Sequence, residues 1–268
     1  MIKLNGKIVT QEHFPDNSLR IELIPDYYSG FPSFNEEELI EKITWHYEND
    51  AELFTIICLR KRHNNKKMIL EMPYCPHARM DRVKNDNDFF TLKYFADIIN
   101  SLNFSEVIIH DPHSNVCSAL INNVRVVRPI ENIERVLNDI NFNNMIVFYP
   151  DEGAMKRGTD YFAERYAFGI KKRDWDTGEI LDLEIMNKEV VANHDVLIID
   201  DICSRGGTFL HSAKKLKELG ANKIYLYITH CENTILKGEL LTCGLIEKVY
   251  TTDSIFTEEH EKIEVIKL

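Results

Sequence analysis

The chain has 268 residues, 44% of them hydrophobic and 28% charged, as in an ordinary globular protein rather than a disordered or fibrous one. At about 100–200 residues per domain it is long enough for two domains. Its formal net charge of -11 argues against a general nucleic-acid binder, because counterion release needs a positive surface.

Residues 1–7 carry no apolar stretch of signal-peptide length, and no run of about 18 apolar residues follows, so no membrane role is expected. The six cysteines (Cys58, Cys75, Cys117, Cys203, Cys231 and Cys243) are scattered without CxxC spacing, as suits reduced thiols in a cytoplasmic protein. Positive charge is concentrated at Lys156-Arg157 and Lys171-Lys172-Arg173, the kind of local clustering that a polyanionic small molecule requires.

Short β-branched apolar runs predict buried strands over 54–58, 68–72, 107–110, 145–149, 196–200 and 224–229. Helical periodicity predicts helices over 89–102 and 208–219, the second closed by Gly220. This alternation implies an α/β fold of mostly parallel sheets flanked by helices, which gather ligands at the carboxyl ends of the strands. The stretch 127–144, with Pro129 and the Asn-rich run at 141–144, reads as a crossing between two halves, 1–130 and 131–268, with the last strand a candidate to return to the first half. A strand followed by an acidic turn recurs at Asp111-Pro112-His113 and at Asp200-Asp201, which suggests a duplicated domain.

The most informative segment runs from Val196 through Asp200-Asp201-Ile202-Cys203-Ser204-Arg205-Gly206-Gly207-Thr208. A hydrophobic strand delivers two carboxylates to its carboxyl end, and a Gly-Gly turn then opens a helix whose first N–H groups can hold a phosphate. The carboxylates suit the vicinal hydroxyls of a ribose. Thr208 and the backbone amides from Ser204 to Gly207 suit its 5-phosphate. No GxxxxGK[ST] segment and no strand-borne GxGxxG is present.

Here the sequence resembles the type I phosphoribosyltransferases, and among them the ribose-phosphate pyrophosphokinases, or PRPP synthetases. Four further segments follow that family's order. Phe14-Pro15-Asp16-Asn17-Ser18 is similar to a loop that reaches the adenine of ATP, which implies that Phe14 stacks on the base and Asp16 lies near the nucleotide. The family's Gly-Glu in that loop is Asn17-Ser18 here. Pro73-Tyr74-Cys75-Pro76-His77-Ala78-Arg79-Met80-Asp81-Arg82 resembles the segment that places Arg79 on ATP phosphates. Val107 to His113 implies that His113 is metal-associated beside those phosphates, with His110 structural. Pro150-Asp151-Glu152-Gly153-Ala154-Met155-Lys156-Arg157 is similar to the family's Pro-Asp-x-Gly-x-x-Lys-Arg and implies Asp151 as a Mg²⁺ contact; Lys156 and Arg157 match its Lys-Arg, or are merely the first exposed turn of a helix.

Phe168 to Ile180 has the look of a hairpin with its turn at 176–178. The resemblance makes Lys172 and Arg173 the catalytic cations, in a segment where the family has Lys-Arg-Arg and this chain has Asp174 at the third position. Either Arg173 substitutes or the acceptor phosphate is held differently. A second departure places Ser204-Arg205 where the family has Asp-Thr, so both changes fall on the acceptor side.

Two co-substrates, ATP and a molecule containing ribose 5-phosphate, with Mg²⁺ as cofactor and a homo-oligomeric assembly, are what the resemblance implies. The reaction would be transfer of pyrophosphate from ATP to the C1 hydroxyl of ribose 5-phosphate, with ADP-ribose as the alternative acceptor. A PRPP-using phosphoribosyltransferase would not need the Phe14 and Arg79 segments. An inactive nucleotide-sensing homologue would not need Lys172, His113 and Asp151.

Overall fold

The computed structural model describes residues 1–23, 40–83, 85–140, 144–159, 165–173 and 180–268, with backbone alone at 171–173 and 180–182. The chain divides into two compact units, Met1–Arg128 and Pro129–Leu268.

In the first unit the order is β1 (Ile2–Leu4), β2 (Lys7–His13), β3 (Leu19–Leu23), β4 (Glu41–Trp45), α1 (Glu52–Arg62), β5 (Met68–Met72), α2 (Thr91–Ser101), β6 (Glu106–His110), α3 (Asn115–Leu120) and β7 (Val124–Val127). These strands form a seven-stranded sheet in the order β3-β2-β1-β4-β5-β6-β7. Strands β4 to β7 are parallel and the β1–β3 edge is antiparallel. Ile43, Met68, Leu70, Met72, Val107 and Ile109 alternate along their strands and pack into one cluster with Ile56 of α1, Phe95 and Ile99 of α2 and Cys117 of α3.

One predicted strand is wrong. Residues 54–58 lie inside α1, where the buried positions are Glu52, Thr55, Ile56 and Leu59. That spacing has the helical period, and Phe54, the most strand-like residue of the run, is 57% exposed. Local β-propensity of a Phe-Thr-Ile-Ile run gave way to the period of burial.

The second unit continues with α4 (Ile130–Asp139), β8 (Met145–Tyr149), α5 (Glu152–Gly158), β9 (Tyr166–Arg173), β10 (Ile180–Met186), β11 (Asp195–Cys203), α6 (Gly207–Glu218), β12 (Ile224–Cys231), β13 (Lys248–Thr252) and β14 (Ile263–Ile266). Its seven-stranded sheet has the order β10-β9-β8-β11-β12-β13-β14. Every pairing is parallel except the β9–β10 hairpin. The stretch read as a plain crossing contains α4, whose Ile133, Val136 and Leu137 are core residues of this unit. The last strand, β14, pairs with β13 rather than returning to the first half, because Ile263 and Ile266 complete this unit's own core.

Both faces of the second sheet are covered. Ile146, Phe148, Val196, Ile198, Ile224, Leu226 and Ile228 face Phe209, Ala213 and Leu216 of α6. The alternate residues Val147, Tyr149, Leu197, Ile199 and Tyr227 face α4 and Ala154 of α5. Strands buried on both faces read as continuous apolar runs, which is why β8, β11 and β12 were legible. Helix α6 ends as its sequence predicts, with Gly220 at φ 86 and Ala221 N–H donating to the Leu216 carbonyl at 3.0 Å.

Candidate active site

Strands β8, β11 and β12 run parallel, so their carboxyl ends share one edge of the second sheet. At the end of β8, Asp151 takes an extended backbone and caps α5, its Oδ1 accepting the Ala154 N–H at 2.9 Å. On β11, Asp200 and Asp201 are both largely withdrawn from water. The Asp200 carboxylate folds back to accept the Asp201 N–H at 2.9 Å, which brings it toward its neighbour. Arg157 of α5 then reaches both, with Nη2 at 2.6 Å from Asp201 Oδ1 and 3.3 Å from Asp200 Oδ1. Burial, followed by the negative charges of Asp201 and Asp151, pushes the Asp200 carboxyl well above the usual carboxylate range, against the opposing effect of Arg157.

Beyond β11 the chain turns through Ser204, Arg205 and Gly206 into α6. Gly206 sits at φ 81, and a Cβ there would lie 2.7 Å from Leu240 Cδ2, so both backbone and packing require glycine. No neighbour lies within 4 Å of an added Cβ at Gly207, which faces open space. Arg205 is exposed and Thr208 half-buried. The first turn of α6 therefore presents its amides beside the paired aspartates, the arrangement that suits a sugar phosphate.

Strand β9 runs parallel to β8 and antiparallel to β10, with Lys172 opposite Asp182 and Arg173 opposite Ile180. Gly169 lets β9 pass the Asp151 turn closely, since a Cβ there would be 2.7 Å from the Pro150 carbonyl oxygen. The side chains of Lys172 and Arg173, Asp174 and the predicted turn at 176–178 lie outside the described residues.

In the first unit, β2 and β3 form a hairpin with Phe14 53% exposed at its tip. The Phe14 N–H donates to the Ser18 carbonyl and the Asn17 N–H to the Phe14 carbonyl, each at 2.9 Å. Asn17 adopts φ 64, where the family has glycine, and asparagine is among the residues that tolerate this region. Asp16 Oδ1 accepts both the Ser18 hydroxyl at 2.6 Å and its N–H at 3.0 Å, and these bonds lower its carboxyl below the usual range. Ser18, where the family has glutamate, thus fixes Asp16.

Arg79 is exposed and His113 half-buried. Their segments meet through Cys75 and Cys117, free thiols whose sulfurs lie 2.7 Å apart. Contact with Cys117, together with burial, holds the Cys75 thiol well above its usual pKa. Cysteines scattered in sequence are therefore adjacent here, tying the loop before Arg79 to the helix after His113. His110 Nε2 lies 3.5 Å from Glu71 Oε1. His77, within the Arg79 segment, adopts φ 62 and lies 3.0 Å from Asp50.

No protein-family model matches the chain. It is 30% identical over 275 residues to the ribose-phosphate pyrophosphokinase of Listeria ivanovii, covering 98% of this chain and 81% of that protein. The chain belongs to the ribose-phosphate pyrophosphokinase family. The enzyme of that name from Saccharolobus solfataricus is 28% identical over 237 residues, covering 86% of this chain and 77% of that one. A crystal structure of phosphoribosylpyrophosphate synthetase from Mycobacterium smegmatis shares the fold, with a TM-score of 0.76 at 16% identity over 97% of this chain and 86% of that one.

The sequence offers Arg157 as one of a basic pair or as part of an exposed helical turn, and gives no sign of the paired aspartates it meets. Its carboxylate partners lie 43 and 44 positions away in sequence.

Proposed function

We propose that the chain transfers a pyrophosphoryl group from ATP to the C1 hydroxyl of ribose 5-phosphate, giving PRPP and AMP. The observation that carries this reading is the carboxyl edge of the second sheet. Paired, buried carboxylates at Asp200 and Asp201 lie beside Asp151 and are followed at once by the Gly206-Gly207 opening of α6. The names carried by the relatives support the same reaction.

Asp200 and Asp201 hold the ribose hydroxyls, and the amides from Ser204 to Gly207 with the Thr208 hydroxyl hold the 5-phosphate. The acceptor's C1 hydroxyl then attacks the β-phosphorus of ATP in line, and AMP leaves. Such transfer asks the protein mainly for positioning and for neutralising charge. Phe14 and Asp16 take the adenosine, Arg79 the phosphates, and Lys172 and Arg173 the charge that develops on the transferred group. His113 in the first unit and Asp151 in the second would each be a Mg²⁺ contact when the ion is bound. A magnesium ion draws one or two ligands from protein and the rest from water and phosphate, so a sparse set with a carboxylate oxygen fits it, and when bound it neutralises phosphate charge.

Arg205 favours a second acceptor. An exposed cation on the phosphate loop, where the family has no positive charge, suits a 5′-diphosphate and hence ADP-ribose. Incubating the purified protein with Mg·ATP and either sugar, and following AMP release, tests both. Release with ribose 5-phosphate supports the first acceptor and release only with ADP-ribose the second. No release with either overturns pyrophosphoryl transfer.

A further inference from the structure

Helical side chains lean toward the helix N-terminus, so a residue near the end of a short helix can return its head group to the opening turn. Arg157 does this on α5. A Cβ added at Gly153 would lie 3.6 Å from Arg157 Nη1 and 3.3 Å from Asp151 Oδ1, which places the guanidinium over the bare first turn. From there Nη2 meets Asp201 Oδ1 at 2.6 Å and Asp200 Oδ1 at 3.3 Å. The Asp201 side chain is 3% exposed and that of Arg157 24%. A carboxylate this buried needs a counter-charge, and two adjacent carboxylates repel unless a cation lies between them. Arginine presents several donors in a fixed plane, whereas lysine offers a single point charge.

We infer that Arg157 is a positioning residue for the acceptor sugar: it holds Asp200 and Asp201 in the geometry that receives the ribose hydroxyls, and so couples α5, which begins at the metal ligand Asp151, to the sugar site on β11. This rests on the function proposed above. Arg157 itself touches neither sugar nor ATP, so its removal changes acceptor binding through the aspartates.

Steady-state AMP formation by wild-type, Arg157→Lys and Arg157→Gln proteins, varying sugar and ATP separately, tests it. The expected result is a KM for the sugar raised about tenfold or more in the glutamine variant and less in the lysine variant, with KM for ATP within twofold of wild type. Unchanged sugar KM in a folded variant, or a rise confined to ATP, overturns the inference. Because Arg157→Gln removes the cation beside a buried carboxylate, the charge-retaining lysine variant is decisive should the former not fold. A lysine variant that also fails to fold would show that Arg157 serves the fold alone, and would equally overturn it. An inactive wild-type enzyme would instead overturn the underlying reaction, which keeps the two failures apart.

Discussion

The α-carbon of Gly238 packs against the carbonyl oxygen of Arg205 so tightly that an added Cβ would overlap that oxygen. The segment following β12 thus supports the loop from Ser204 to Gly206 from behind, and Leu240 fills the space under Gly206. Gly238→Ala forces the loop or its support to move, and such overpacking typically costs about 1–3 kcal/mol. The sugar KM is expected to rise several-fold while the ATP KM stays near wild type. Kinetics with each substrate varied, alongside urea denaturation, would separate loop displacement from general loss of fold.

Asp200 is stable in its place at a cost in charge. Its carboxyl holds a proton more tightly in the folded than in the unfolded chain, because of burial first and then of Asp201 and Asp151. For such an acid, folding stability declines as pH rises above the ordinary carboxylate range and the group is forced to ionise. Asp200→Asn, which cannot ionise, is therefore expected to raise the urea midpoint at pH 8, with the gain shrinking toward pH 4, while abolishing turnover. An unchanged midpoint at pH 8 would mean that Arg157 already compensates the charge in full.

Glu71 behaves in the opposite sense. Its Oε2 lies 2.7 Å from Lys42 Nζ and accepts the Thr44 hydroxyl at 3.1 Å, while Oε1 lies 3.5 Å from His110 Nε2. The His110 hydrogen bond, aided by Lys42 and Thr44 and opposed by burial, lowers its carboxyl from 4.5 to about 2. A depressed folded pKa contributes stability that is complete above 4.5 and is lost as pH falls through about 2. Glu71→Gln is expected to cost on the order of 2–3 kcal/mol at pH 7 and far less near pH 2. Equal losses at both pH values would show that packing, rather than charge, is what Glu71 provides.

Much of this was legible because local pattern and tertiary placement agree. The run Val196 to Thr208 reads as strand, carboxylates, glycine turn and helix, and each part is set by residues adjacent in sequence. Where the information is not local, the sequence was silent. Nothing near Arg157 announces its distant aspartates, and nothing near Cys75 announces Cys117, since both pairings arise only when parallel strands align their ends. The 54–58 run departs for the converse reason: its local propensity points to a strand, and only the packing of Ile56 and Leu59 into the first unit's core selects the helix.

Phe14 tests the nucleotide side without touching the core. At 53% exposed it contributes little to folding, so Phe14→Ala is expected to change stability by no more than about 0.5 kcal/mol. Stacking of a base on an aromatic ring is worth about 1–3 kcal/mol. The ATP KM should accordingly rise by roughly tenfold with the sugar KM unaffected. A Phe14→Tyr variant, which retains the ring, should stay near wild type, and a tenfold loss there would assign the effect to the hairpin rather than to stacking.

The hairpin's shape rests on Asn17. At φ 64 it occupies the left-handed region, which costs a residue with an ordinary Cβ about 1–2 kcal/mol and glycine nothing. Asn17→Gly should therefore leave stability and the ATP KM near wild type, since it restores the residue the family carries. Asn17→Val should distort the turn, weaken the bonds that Ser18 makes to Asp16, and raise the ATP KM. Chemical denaturation and ATP kinetics on the pair give the decisive comparison. If valine is tolerated as well as glycine, the left-handed turn is not what presents Phe14, and the loss of the family's Gly-Glu would have to be compensated by contacts elsewhere in the nucleotide site.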